Sequence, residues 1–245
     1  MNRFITLIVL LSVTACVFAK KKPEYPRAAI KVGYNYHEKF MRGNVEYAEH
    51  DIPMVLLANP EQSKFYCPAT EYKDSLESTP SGRAKAKQIF DIAVKKYIES
   101  KDESAMSNVV YKTFIYVFKD NAREAMTVYD KAGMTERGVY EEPFSELTWE
   151  TGDSTKTVLG YECIMATTDY HGRKWTAWFA PEIPVNDGPW KLRGLPGLIL
   201  EATDDKGHHR FVAEGVEESS QPMYPIYSQN EYDRMKRLDM LRSLR

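Results

Sequence analysis

The chain has 245 residues, of which 43% are hydrophobic and 28% charged, and its formal net charge at pH 7 is −2. Basic and acidic residues are well mixed, which excludes the basic stripe or high isoelectric point of a nucleic-acid-binding protein. The length suits one domain with a continuous core. We therefore expect a single domain with no nucleic-acid partner.

The first residues have the pattern of a secretory signal peptide. Arg3 supplies a positive charge, residues 4–13 are apolar, and residues 17–19 (Val-Phe-Ala) form a small-residue cleavage site. The apolar run is shorter than the roughly 20 residues that an α-helix needs to cross a bilayer. The pattern predicts a periplasmic or secreted protein in which residues 1–19 are removed, residues 20–245 form the domain, and the mature chain has no transmembrane span.

Cys16 offers a second route to the cell envelope. Residues 13–16 (Val-Thr-Ala-Cys) resemble a lipobox, in which the cysteine carries lipid and becomes the mature N-terminus. The next three residues continue the apolar run instead of opening a polar tether. We therefore favour cleavage after Ala19, with a lipoprotein anchored at Cys16 as the alternative.

Two cysteines, Cys67 and Cys163, remain once the leader is removed. In the oxidising compartment that an exported protein enters, these two residues could form a disulfide. The alternative is two unrelated buried thiols, because a bridge also requires a short distance between the Cα atoms.

Most of the mature chain has the pattern of β-strands. Residues 30–36 alternate apolar and polar side chains, which indicates a strand with one buried face. Hairpin turns are predicted at residues 169–172 and 204–207, each of which ends in glycine. Further strands are predicted at 52–58, 63–67, 111–118, 125–129, 147–150, 157–168, 174–179, 198–203 and 209–216.

Two segments have helical periodicity. Residues 81–100 place apolar side chains at helical spacing, after a Thr-Pro-Ser start at residues 79–81. Residues 228–245 begin with a capping box formed by Ser228 and Glu231, which predicts a short C-terminal helix. The predicted fold is mainly β (α+β): a curled antiparallel β-meander or half-barrel over one amphipathic helix, with a short C-terminal helix.

The sequence contains no established catalytic motif. A Gly-x-Ser-x-Gly elbow, a phosphate-binding glycine loop and a His-Glu-x-x-His pair are all missing. The adjacent His208 and His209 would point to opposite faces of a strand, so we expect them not to share a metal ion. We expect no catalytic residues, no metal and no cofactor, and favour a protein that is not an enzyme.

A long connection at residues 180–200 stands out because it is rich in proline and glycine. The prolines fix φ and the glycines permit tight bends, so we expect a rigid, packed loop. Its large apolar residues, among them Trp190, Leu192 and Leu195, would be costly to expose to water. We favour a structural corner that leads into the next strand over a binding loop.

This connection also carries a resemblance. Residues 194–199 (Gly-Leu-Pro-Gly-Leu-Ile) are identical to the signature of the GLPGLI family of the Bacteroidota, and the chain resembles that family from 153 to 203. The resemblance implies an exported envelope protein with a β-rich fold and no established activity, often encoded near outer-membrane transport systems. It marks as signature-loop residues Gly188, Pro189, Trp190, Gly194, Leu195, Pro196, Gly197, Leu198 and Ile199.

These observations favour a non-enzymatic envelope protein whose concave sheet face binds a peptide, a lipid or another envelope protein. The 16 Tyr, 10 Phe and 4 Trp residues would suit a binding groove, although they could also fill the core. One alternative is a secreted hydrolase that uses Cys163 or a His/Asp set near His171. Another is an assembly factor or subunit of an outer-membrane complex.

Overall fold

A computed structural model describes residues 24–42, 45–106, 109–132, 136–227 and 229–243. The predicted signal peptide at 1–19, including Cys16, and the first mature residue Lys20 lie outside the described residues. Within the described part of the chain, no helix is both long enough and apolar enough to span a membrane.

Within these ranges, twelve strands form one open, mostly antiparallel sheet, which confirms the predicted fold class. In chain order they are β1 Ile30–Arg42, β2 Val45–Ala58, β3 Gln62–Tyr66, β4 Tyr116–Asp120, β5 Ala125–Ala132, β6 Glu136–Pro143, β7 Glu150–Val158, β8 Tyr161–Tyr170, β9 Arg173–Ala180, β10 Leu198–Asp204, β11 His209–Glu218 and β12 Asp233–Arg234. Across the sheet the order is β12-β6-β5-β4-β3-β2-β1-β11-β10-β9-β8-β7. Two meanders, β1 to β6 and β7 to β11, are therefore joined side by side through β1 and β11.

Three α-helices accompany the sheet in the described part of the chain: α1 Pro68–Glu77, α2 Pro80–Ser100 and α3 Arg237–Ser243. The helix predicted at 81–100 is confirmed as α2, whose N-cap Thr79 accepts a hydrogen bond from the backbone N–H of Gly82. The sequence did not predict α1. The C-terminal helix is shorter than predicted, because β12 precedes it and pairs in parallel with β6.

The expectation that the sheet curls over the amphipathic helix was wrong. Helix α2 packs against α1, and its buried residues are Gly82 and Ala93. Phe90 and Ile92 on the same helix are 44% and 61% exposed. Part of the interior is filled by the connection between β9 and β10, residues 181–197, which we call the 181–197 loop. Its Leu192 and Leu195 are buried in the main core.

The hairpin turns end in glycine, as predicted, but the sequence did not predict one of these turns. The β8–β9 hairpin turns at His171-Gly172, both with positive φ (55° and 76°), and this confirms the predicted turn. The segment 157–168, predicted as one strand, is divided by a similar turn at Leu159-Gly160, with φ of 52° and 86°. This turn ends β7 and begins β8.

Cys67 and Cys163 are both buried and both free. The disulfide that the sequence left open is therefore not formed. The reason lies in the topology: Cys67 follows β3, Cys163 lies on β8, and five strands separate β3 from β8 in the sheet. A disulfide would require Cα atoms within about 7 Å of each other.

Candidate functional site

The 181–197 loop is held against the opposite half of the sheet by a buried lysine. Lys119 of β4 is 1% exposed, and its Nζ donates to Asp187 Oδ1 at 2.5 Å, to the Gly188 carbonyl at 2.8 Å and to the Leu192 carbonyl at 3.3 Å. A buried ammonium is tolerated only when its donors are satisfied, as they are here. This contact fixes the loop that follows β9 against β4, on the other side of β1 in the sheet.

Most of the signature residues lie in the core. The buried ones are Gly188, Pro189, Leu195, Gly197, Leu198 and Ile199, while Gly194 and Pro196 are exposed and Trp190 is half-buried. The backbone packing is tight at Gly197, where an added Cβ would lie 2.3 Å from the carbonyl oxygen of Ala180. The buried signature residues thus form a structural corner, whereas Trp190 is half-buried.

Trp190 and Lys191 reach into a cavity of about 390 Å³ between the two halves of the sheet, which we call the central cavity. One wall is aromatic. Trp175 lies 5.5 Å from Trp190 and 6.2 Å from Phe211, measured between ring centroids, and Phe211 stacks on Tyr36 at 4.5 Å. Trp190 also has a positive φ of 53°, which a bulky side chain rarely adopts.

Beside the cavity, the carboxylate of Glu142 on β6 contacts three basic side chains. Its carboxylate lies 3.0 Å from Lys191 Nζ, 2.9 Å from Arg237 Nε and 3.2 Å from His171 Nε2. Burial opposes ionisation of Glu142, but His171 and Lys191 hold its pKa below the usual range. Lys191 also donates to the Tyr140 hydroxyl at 2.7 Å. This network fixes the 181–197 loop, the β8–β9 turn and the start of α3 to one another.

The cavity also contains two carboxyl groups that are not neutralised in this way. Burial raises the pKa of Asp130 to about 6, and burial also raises the pKa of Glu38. Asp130 accepts the backbone N–H of Lys131 at 2.7 Å. His209 lies on the same wall, where burial and the charge of Arg173 lower its pKa to about 4. His209 is therefore neutral at pH 7.

Three potential metal ligands, Glu142, Glu146 and His171, place their donor atoms within 4.8 Å of one another. Carboxylate and imidazole groups would suit a zinc ion. The oxygens of Glu142, however, already face Lys191 and Arg237. A divalent cation would have to displace both basic side chains, so the donor set fits a metal poorly.

The residues considered for a hydrolase are not brought together. Cys163 is fully buried on β8, away from the central cavity, and burial raises the pKa of its thiol. It is therefore neither accessible nor a ready thiolate. His171 does lie beside an acid, but that acid is Glu142, which serves two other cations. The pair belongs to an ion-pair network that positions the loop.

A second depression lies between α1, α2 and residues 109–112, with a volume of about 720 Å³. It is mostly apolar and includes the half-exposed Phe90 and Val110. The central cavity combines aromatic walls with several charged groups, which is the usual make-up of a specific small-ligand site. We therefore take the central cavity as the candidate site.

The sequence alone missed Lys119, Asp130, Glu142 and Arg237. A signal was present for Lys119: in the alternation of β4 it shares the buried face with Val117. A charged residue at a core-facing position needs a buried partner, but the partner, Asp187, is 68 residues away in the chain. Local patterns do not identify contacts of this range.

Residues 169–201 match the model of a family described as "Protein of unknown function (Porph_ging)". This segment includes β9, the 181–197 loop and the start of β10, and it supplies His171, Trp175, Trp190 and Lys191 to the site. No curated protein matches the chain.

Two similar solved structures are of PNGF-II, in different space groups. Their TM-scores are 0.57 and 0.55, their sequence identities to this chain are 11% and 10%, and they cover 89% and 87% of it. The similar region is 33% and 32% of those chains, so this chain spans about a third of their length. At such identity the likeness shows the fold alone.

Proposed function

We propose that this chain is an exported, GLPGLI-type protein of the cell envelope that binds a small molecule or the end of a peptide in the central cavity, without catalysing a reaction. The observation that carries the proposal is the central cavity itself. It is lined by aromatic side chains and several charged ones, and buried ion pairs fix the 181–197 loop that supplies Trp190 and Lys191 to it. A volume of about 390 Å³ lies within the range of small-ligand pockets.

Two further points support this proposal. The matched family segment at 169–201 includes β9 and the 181–197 loop, two of the elements that line the cavity. The strained Trp190 backbone is the kind of outlier that structures retain at binding sites. The hydrolase alternative loses its nucleophile, because Cys163 is buried away from the cavity.

The test is a fragment screen by saturation-transfer NMR on three proteins: the wild type, Ile115→Trp and Val110→Trp. Ile115 lines the central cavity and Val110 lines the apolar depression, so both variants place an indole where an aliphatic side chain stood. We expect fragments that bind the wild type to be lost in Ile115→Trp and retained in Val110→Trp. Circular dichroism confirms that each variant is folded. Fragments retained by a folded Ile115→Trp protein would contradict the proposal.

The export part of the proposal is tested separately by the intact mass of the protein recovered from the envelope. A chain that begins at Lys20 supports a cleaved signal peptide. A diacylated or triacylated chain that begins at Cys16 would instead show a lipoprotein, and an unprocessed Met1 would contradict export.

A further inference from the structure

The cations that line the central cavity already have carboxylate partners. Lys191 and Arg237 lie 3.0 Å and 2.9 Å from Glu142, and Arg173 lies 2.5 Å from Asp204. Glu142 and Asp204 are both buried. An anionic ligand would have to compete with these short, buried ion pairs for its binding partners. The cavity is therefore poorly prepared for an anion.

The acids of the same cavity are in the opposite situation. Among the described side chains, no lysine or arginine nitrogen forms an ion pair with Asp130 or Glu38 within 4.0 Å. The basic atom at that limit is Nδ1 of His209, 4.0 Å from Glu38, and its ring is neutral at pH 7. Asp130 and Glu38 both line the central cavity. Burial raises the pKa of Asp130 by more than the backbone N–H of Lys131 and the charge of Lys191 lower it. An ammonium group bound in the cavity would give these buried carboxyls a positively charged partner.

The aromatic wall provides two further recognition elements. Its ring faces, Trp175, Trp190, Phe211 and Tyr36, attract an organic cation through their quadrupoles. Trp175 is 2% exposed, and its buried Nε1 has no hydrogen-bond partner among the described residues. An indole N–H can only donate, so it requires an acceptor atom. Buried polar atoms are usually satisfied, and this donor points to an acceptor that a ligand would bring.

We propose that the central cavity binds a small primary amine that also carries an oxygen acceptor. Its ammonium group is held by Asp130 and Glu38, its oxygen accepts from Trp175 Nε1, and its apolar part lies on the aromatic wall. Amino alcohols, the amino end of a peptide and amino sugars all share this chemistry. This inference rests on the proposed function, since it names the ligand class for the same cavity.

The test compares three probes of similar size by isothermal titration calorimetry at pH 7.5. Phenylalaninol carries an ammonium, a hydroxyl and a ring; N-acetylphenylalaninol is neutral; 3-phenylpropionate is anionic. We expect phenylalaninol to bind at least about tenfold more tightly than either of the others. A wild-type protein that binds the neutral or the anionic probe equally well would overturn the ligand class and leave the proposed function standing. Binding of none of the three would also overturn the ligand class, while the fragment screen decides the proposed function.

Near-isosteric variants locate the contacts. The double variant Asp130→Asn, Glu38→Gln removes both charges, and we expect it to bind phenylalaninol about tenfold more weakly and to lose the preference over the acetylated probe. Trp175→Phe keeps a ring but removes the N–H, and we expect a loss of about three- to tenfold. Glu217→Gln, at an exposed carboxylate on β11, is the control and should bind as the wild type does. A folded double variant with unchanged affinity and preference would overturn the proposal.

Discussion

Replacing Lys119 by methionine should destabilise the protein more than any exposed lysine substitution. The change removes the three hydrogen bonds that Nζ makes to the 181–197 loop. It leaves the carboxylate of Asp187, which is 9% exposed, with the backbone N–H of Gly188 at 2.7 Å as its remaining partner on the loop. Breaking a buried ion pair by removing one partner costs about 3–5 kcal/mol.

For a domain of this size, each kcal/mol corresponds to about 2–4 °C in melting temperature. We therefore expect Lys119→Met to melt about 10 °C below the wild type, measured by differential scanning calorimetry. The matched control is Lys87→Met, which breaks an exposed pair with Asp91 on α2 at 2.6 Å. Exposed pairs of this kind contribute little, so the control should melt close to the wild type.

A double-mutant cycle separates the ion pair from the packing of the lysine stem. Asp187→Asn keeps the shape of the side chain and removes its charge. If the pair is coupled, Lys119→Met should cost about 2 kcal/mol less when it is combined with Asp187→Asn than when it is made in the wild type, measured by urea unfolding. Equal costs in both backgrounds, or a Lys119→Met protein that melts like Lys87→Met, would refute the proposed role of Lys119 as the loop anchor.

Three further predictions concern backbone packing, pH and thiols. Gly197→Ala should cost about 2 kcal/mol or more in urea unfolding, because its Cβ meets the Ala180 carbonyl, whereas Gly33→Ala meets no atom within 4 Å and should be neutral or slightly stabilising. The pKa of Asp130 is raised to about 6, so this group destabilises the native state as the pH rises from 4 to 6. Asp130→Asn should therefore gain stability over the wild type, by at most about 3 kcal/mol, with the gain present at pH 7 and lost near pH 4. In protein without the leader, Ellman's reagent should react with Cys67 and Cys163 only after unfolding, because both thiols are buried and free.

Each of these predictions has a contrary result. Equal stabilities for the two glycine variants would show that the chain near Ala180 can yield. An Asp130→Asn gain that is the same at pH 4 and pH 7 would show that the native carboxyl titrates normally. His209, whose pKa is lowered to about 4, changes the stability in the opposite sense over this pH range. The stability of Asp130→Asn is therefore compared with that of the wild type at each pH. Failure to detect two thiols after unfolding without reductant would contradict the free cysteines.

The features that the sequence predicted are local ones. The alternation in β1, the turn at His171-Gly172 and the start of α2 at Thr79 each depend on a few neighbouring residues. The turn at Leu159-Gly160 was missed, because residues 157–168 were predicted as one strand. Helix α2 has an apolar face, but periodicity does not say what that face contacts, and in the structure much of it is exposed.

The candidate site depends on contacts between distant parts of the chain. Lys191 and Tyr140 are 51 residues apart, and Tyr36 and His209 are 173 apart. The pairing of β1 with β11 brings Tyr36 to His209, and the 181–197 loop brings Lys191 to Tyr140. No short sequence pattern encodes either contact. The 181–197 loop was predicted to be rigid from its prolines and glycines. Its contact with the buried Lys119, and the position of Trp190 and Lys191 in the central cavity, are shown only by the structure.

The most direct test of a ligand site in the central cavity is a crystal structure of the protein soaked in phenylalaninol. We predict density inside the cavity, with the ammonium within about 3 Å of Asp130 or Glu38 and the hydroxyl beside Trp175 Nε1. Density in the apolar depression between α1 and α2, or an empty cavity at a saturating concentration, would contradict a ligand site there.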